Sequence, residues 1–133
     1  MGIEVVGTAS APTAVGPYSQ AILHGGMVYV SGQIPLDPAT GQLAGTEFEE
    51  QARRCLANLG AVLQAADAPL NSVLKVTVYM TDLAHFPILN ELYAEFFKGH
   101  RPARSCVQVA ALPLGVQVEI DAIAVTMRHA NKC

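Results

Sequence analysis

Two short stretches near the C-terminal end carry most of the side chains able to do chemistry. Within Ala103 to Ala110, Arg104, Cys106 and Gln108 alternate with Ser105 and Val107. Within Val116 to Val125, Gln117, Glu119 and Asp121 alternate with Val118, Ile120 and Ala122. Alternation is the period of a β-strand, so each polar trio shares one strand face. A hairpin turning at Leu112-Pro113 is expected to set Arg104 opposite Asp121, Cys106 opposite Glu119, and Gln108 opposite Gln117. Slipping the register by one residue mixes polar and apolar faces, which selects this pairing. A guanidinium held on a strand suits bidentate capture of a carboxylate, and a nearby Glu can hold or deprotonate a water. A structural salt bridge among Arg104, Glu119 and Asp121 uses the same residues, and the pattern alone leaves both readings open.

The other reactive side chains are less suggestive. Cys106 has no cysteine-hydrolase signature around it, and a carboxylate neighbour would raise its thiol pKa, so it reads as a wall residue rather than a nucleophile. Cys55 falls on an apolar helical stripe and reads as a small core residue. Cys133 lies in a C-terminal stretch, Met127 to Cys133, expected to be a flexible tail. His24, His85, His100 and His129 show no paired ligand spacing, so no metal site is expected. Tyr18 follows Gly16-Pro17 in a turn-like segment, where it serves either as a pocket wall or as an interface plug. Asn90 lies one residue off a buried stripe.

The elements that must position these residues are legible from periodicity. Ala21 to Ile34 is a hairpin around Gly25-Gly26, with Val28 and Val30 on one side and Met27, Tyr29 and Ser31 on the other. Thr46 and Glu49 form a capping box before a helix from about Glu47 to Ala66, with Ala52, Cys55, Leu56, Leu59, Leu63 and Ala66 as its stripe. Ser72 to Met80 alternates, placing Leu74, Val76, Val78 and Met80 opposite Lys75, Thr77 and Tyr79. Pro87 opens a second helix whose buried stripe is Leu89, Leu92, Tyr93, Phe96 and Phe97, and Gly99 ends it. The order strand, strand, strand, helix, strand, helix, strand, strand predicts an α+β fold: a mixed β-sheet with two helices packed on one face.

Composition bounds the function. The 133 residues fit one domain spanning 1–133. Charged residues make up 14%, against about 25% in an average soluble domain. With a mean hydropathy of +0.32, that scarcity points to an oligomer whose interface hides apolar surface. The net charge of −3 and the lack of any basic run argue against a phosphate-tracking nucleic-acid binder. Glycines and prolines interrupt the uncharged stretch Val5 to Leu36, so no membrane span is expected. There is no secretory pattern at the N-terminus. The odd, widely spaced cysteines favour reduced thiols and a cytoplasmic location.

Four segments in order carry a resemblance: Gly16-Pro17-Tyr18-Ser19-Gln20-Ala21, Val30-Ser31-Gly32-Gln33, Arg101-Pro102-Ala103-Arg104-Ser105-Cys106, and Val118-Glu119-Ile120-Asp121-Ala122. Over about Val15 to Val125 the chain resembles the RidA/YjgF family of reactive intermediate deaminases. The resemblance implies a chorismate-mutase-like fold and a homotrimer whose sheets line a central barrel, with active sites between subunits. It also implies hydrolysis of enamine and imine intermediates such as 2-aminoacrylate, 2-iminopropanoate and 2-iminobutanoate to 2-oxo acids and ammonia, without a cofactor or metal. Carried over by residue, Arg104 binds the substrate carboxylate and Glu119 positions the water. Tyr18 and the Cys106 backbone shape the pocket, with Ser31, Gly32 and Asn90 contributed by a neighbouring subunit. Two alternatives stay open, an endoribonuclease or translation inhibitor, as some family members are described, and a non-catalytic sensor of small 2-oxo acids using the same Arg104.

Overall fold

The computed structural model describes residues 2–128. Six strands form one mixed sheet: β1 (Glu4–Val6), β2 (Ala21–His24), β3 (Met27–Gln33), β4 (Val73–Met80), β5 (Ala103–Gln108) and β6 (Val118–Val125). Helix α1 (Phe48–Ala65) follows β3, and α2 (Phe86–Phe97) joins β4 to β5. The spatial order is β1-β2-β3-β6-β4-β5. The element order and the α+β class are as the sequence predicts. Gly25 and Gly26 turn the β2–β3 hairpin with φ of 59° and 82°, the positive-φ pair that a two-residue turn needs.

Both helices lie on one face. The α1 stripe of Ala52, Cys55, Leu56, Leu59, Leu63 and Ala66 is fully buried, against Val28, Val76, Val78, Val118, Ile120 and Ala124 of the sheet. The opposite face has no covering element among the described residues. Val5, Ile22, Tyr29 and Ile123 form one row across it, and Tyr29 is 46% exposed and Val107 41%.

Three expectations need correction. The cap of α1 sits one residue later, at Glu47, whose N–H donates to the Glu50 carboxylate at 3.2 Å. A register shift between Val73 and Lys75 buries Val73 and turns Leu74 outward, as a bulge does when it inserts a residue.

The third correction is the largest, because β5 and β6 do not form a hairpin. β5 pairs in parallel with β4, setting Arg104 beside Val76 and Cys106 beside Val78. β6 inserts between β3 and β4, antiparallel to both. Two physical reasons favour this arrangement. Helix α2 makes β4-α2-β5 a crossover unit, which returns the chain parallel to where it began. An interior strand must also bury one face fully: β6 does so with Val118, Ile120, Ala122 and Ala124, whereas β5 stays exposed or half-buried along its length. Charge and polarity are tolerated on an edge strand. The nine-residue connection from 109 to 117 carries the chain past β4, a lateral step of about 10 Å.

The start of the C-terminal stretch is tied down. Thr126 Oγ1 donates to the Ala66 carbonyl at 2.6 Å, and Arg128 bonds Asp67, Glu4 and the Ala65 carbonyl. His129, Cys133 and the rest of 129–133 lie outside the described residues. No helix among the described residues is long and apolar enough to cross a membrane.

Candidate active site

The residues singled out in the sequence form two groups on different faces of the sheet. On β6 the expected facing holds, with Glu119 and Asp121 on the open side and their neighbours in the core. On β5 it is inverted. Arg104 and Cys106 point to the helix side, where Cys106 packs on the core and its Sγ lies 3.5 Å from Met80 Sδ. Ser105 and Val107 take the open side, level with Thr77 and Tyr79. Arg104 and Glu119 are therefore separated by two strand spacings, about 10 Å, and by the thickness of the sheet. A salt bridge between Arg104 and either carboxylate does not form.

The first group centres on Arg104. Its guanidinium carbon lies 4.8 Å from the Tyr93 ring centroid and 5.4 Å from that of Phe86. Both rings come from α2, and Asn90 lies between them in sequence at helical spacing, on the same face. Cation–π attraction holds the cation in place without using its N–H donors. Among the described residues no carboxylate pairs with Arg104 and no acceptor occupies its fork. A half-buried guanidinium held by rings, with its donors unspent, is a ready anion receptor. Burial pushes the Tyr93 hydroxyl up and Arg104 partly offsets this. Burial likewise raises the Cys106 thiol, again opposed by Arg104. Glu119 plays no part in that shift, contrary to expectation, and a raised thiol suits a wall residue rather than a nucleophile.

The second group centres on Glu119. Its carboxylate lies over Gly32 of the neighbouring β3, so close that a Cβ there would come within 1.8 Å of Oε2. Gly32 is thus the residue that makes room for the acid. Ser31 donates from Oγ to the Ser19 carbonyl at 2.6 Å, and its N–H donates to the Gln20 carbonyl at 2.9 Å. These bonds tie the Gly16-to-Gln20 segment to β3 and bring Tyr18 into a narrow cleft with Gly32, Gln33 and Ile34. Tyr18 itself is 47% exposed, its hydroxyl accepting from the Val15 N–H at 3.2 Å. Burial, and then the charge of Asp121, hold the Glu119 carboxyl above its ordinary range. A carboxylate raised in this way is a stronger proton acceptor than a solvated one.

Gly32 thus accompanies Glu119 within one chain, while Asn90 accompanies Arg104. The expected division, with Ser31, Gly32 and Asn90 together on a neighbour of the chain bearing both Arg104 and Glu119, does not match this grouping. The aromatic seat of Arg104 was not read from the sequence, where Tyr93 counted only as core. Its available signal was the i, i+4, i+7 spacing of Phe86, Asn90 and Tyr93. A cavity of about 750 Å³ lies elsewhere, beside α1 between Ala57, Gly60, Ala61, Leu70 and Phe96, and includes none of the site residues above. No cluster of His, Cys, Asp or Glu among the described residues has the makings of a metal site.

Comparison with known proteins agrees with the four-segment pattern. The family model described as Endoribonuclease L-PSP matches residues 8–126. A mouse protein named 2-iminobutanoate/2-iminopropanoate deaminase is 48% identical over 122 residues, covering 92% of this chain and 90% of that protein. The crystal structure of RidA from an Antarctic Psychrobacter superposes with a TM-score of 0.89 at 44% identity, over 92% of this chain and 98% of that one. Escherichia coli TdcF with bound serine gives 0.88 at 46% identity, with the same coverage.

Proposed function

Because this chain belongs to the Endoribonuclease L-PSP family, the RidA/YjgF proteins, we propose that it hydrolyses small 2-imino acids to 2-oxo acids and ammonia. The observation that carries this reading is Arg104, seated on Tyr93 and Phe86 with no anionic partner among the described residues. The relatives named as imine deaminases, and a relative holding serine, act on or bind small molecules with one carboxylate. Such a carboxylate fits the open fork of Arg104, which gives substrate orientation and leaves the imine carbon to a second group.

Glu119 is that group. An imine carbon is already electrophilic, so one proton-transfer residue suffices. The Glu119 carboxylate takes a proton from water as the water oxygen bonds to the imine carbon. The substrate enters as the protonated imine, so the C=N electron pair moving to its NH2⁺ nitrogen gives a neutral carbinolamine. Glu119 then returns its proton to the amine. The C–N bond breaks as the hydroxyl gives its proton to the freed Glu119 carboxylate and the carbonyl forms; ammonia leaves and takes that proton as ammonium, restoring the carboxylate.

Arg104 and Glu119 lie too far apart to act within one chain, so the working site is assembled between copies. One subunit supplies Arg104, Cys106 and Asn90, and the next supplies Tyr18, Ser31, Gly32 and Glu119. The uncovered sheet face and the low charge content support a homotrimer. Light scattering should give about 42 kDa for three chains of 14.0 kDa, and a monomer refutes the shared site.

The decisive experiment is a coupled assay in which a pyridoxal-phosphate-dependent serine or threonine dehydratase generates 2-aminoacrylate or 2-aminocrotonate. Faster release of 2-oxo acid with this protein present, lost on Arg104→Ala, supports the deaminase. A folded trimer that binds a 2-oxo acid without accelerating its release points instead to a sensor. Salt-dependent RNA binding, which the net charge of −3 disfavours, would favour the ribonuclease name.

A further inference from the structure

The open face of the sheet holds a second carboxylate that the reaction above does not use. Asp121 lies two residues from Glu119 on β6, on the same face. Tyr79 stands directly opposite Glu119 on β4, and Thr77 opposite Asp121. The Tyr79 hydroxyl reaches diagonally across this register and donates to Asp121 Oδ2 at 3.0 Å. A tyrosine that could have bonded Glu119 is thus committed to its neighbour. Glu119 makes no hydrogen bond among the described residues and faces the charge of Asp121 instead.

We propose that Tyr79 and Asp121 are positioning residues for Glu119: the hydroxyl–carboxylate bond pins a second negative charge on the same sheet face, and that charge sets how readily Glu119 takes and returns the proton of the reacting water. The inference rests on the deaminase reading and adds to it the pair that tunes its acid–base group.

Within one subunit the surroundings leave Asp121 as the charge that matters, and an Arg104 brought to the site by another copy is common to wild type and to every variant compared below. From β3, Gly32 lies against Glu119 and has no side chain to titrate. From β4 come Tyr79 and, about 13 Å further along the strand, Lys75 opposite Ile123. From β5 the same face offers Ala103, Ser105 and Val107, with Arg104 on the other side. From α1, beneath the sheet, Cys55 is buried and its thiol is pushed up by burial and then by Glu119, with Arg54 opposing. Like charges two residues apart on one strand face favour proton uptake by one of the pair; Asp121 accepts the Tyr79 hydroxyl, whereas Glu119 has no such donor among the described residues and is raised by burial and by Asp121 together. Tyr79 is raised by burial and by its bond to Asp121, so it stays a donor through neutral pH.

The test is a ¹³C NMR titration of the Glu119 carboxyl carbon in wild type, Asp121→Asn and Asp121→Glu, beside the pH profile of kcat/KM. Asp121→Asn should move both the Glu119 titration and the acid limb of the profile to lower pH, and Asp121→Glu, which keeps the charge, should restore both. A folded Asp121→Asn protein whose Glu119 titrates as in wild type overturns the proposal. So does a titration that moves while the acid limb stays in place. If Asp121→Asn does not fold, Tyr79→Phe takes its place: freed of the hydroxyl, Asp121 can swing away, and the same shift is expected in smaller measure. The NMR arm uses no substrate, so absence of wild-type turnover refutes the deaminase reading separately.

Discussion

Replacing Arg104 by Ala tests the site most directly, because the structure separates what the residue does for the fold from what it offers a ligand. In the fold, the side chain rests on Tyr93 and Phe86 and forms no ion pair among the described residues. Two cation–π contacts at a half-buried position are together worth about 1–2 kcal/mol. Urea denaturation should therefore show only a modest fall in midpoint at an unchanged slope. Leaving a substrate carboxylate unpaired costs more, about 2–5 kcal/mol, which converts to a loss of roughly 30-fold to several thousandfold in kcat/KM. Arg104→Lys keeps the charge but not the planar fork and should fall between the two. Tyr93 provides an internal check. Arg104 pulls its hydroxyl down against burial, so Tyr93 should ionise at higher pH in Arg104→Ala, read by ultraviolet titration. The assay is the dehydratase-coupled release of 2-oxo acid. A folded Arg104→Ala protein whose kcat/KM stays within about threefold of wild type would refute the anchor assignment.

Glu119→Gln should lower turnover by about 10²- to 10⁴-fold while a 2-oxo acid still binds by calorimetry; loss of binding instead would make Glu119 structural. The same variant carries a pH signature. The folded chain holds the Glu119 proton at pH values where the unfolded chain has released it, so its stabilising contribution is complete below about pH 4.3 and is lost as pH rises through the raised folded value. Glu119→Gln cannot ionise, so its denaturation midpoint should gain on wild type over that window and then run parallel; a constant difference across pH would contradict the raised carboxyl. Gly32→Ala places a methyl 1.8 Å from Glu119 Oε2, and the flexible carboxylate must swing away. Stability should change little, whereas a displacement of about 1 Å costs on the order of 10²-fold in rate; unaltered kcat in a folded Gly32→Ala protein would show that this placement of Glu119 does not matter.

What the sequence determined by itself is what local pattern can carry. The α1 and α2 stripes, the glycine turn of the β2–β3 hairpin, the core faces of β3, β6 and, from Val76 onward, β4, and hence the α+β class all follow from the periods of helix and strand. The facing of Glu119 and Asp121 belongs here too, since Val118, Ile120 and Ala122 leave them one side. So do the identities of Arg104, Glu119, Tyr18, Ser31, Gly32 and Cys106 as candidates, because the four segments mark them; Asn90 lies outside those segments and entered only through the family resemblance.

Strand adjacency was decided only by the tertiary structure. Ladder bonds are made between backbones, which carry no side-chain signature of their partner, and a short connection from β5 to β6 reads as a hairpin until the crossover through α2 is given its due. With β5 moved to the edge beside β4, Arg104 turned to the helix side and acquired an aromatic seat. Gly32 came under Glu119 by the pairing of β3 with β6, and Tyr79 reached Asp121 by the pairing of β4 with β6. Those three contacts join residues distant along the chain, and their geometry depends on which strands the packed core sets side by side.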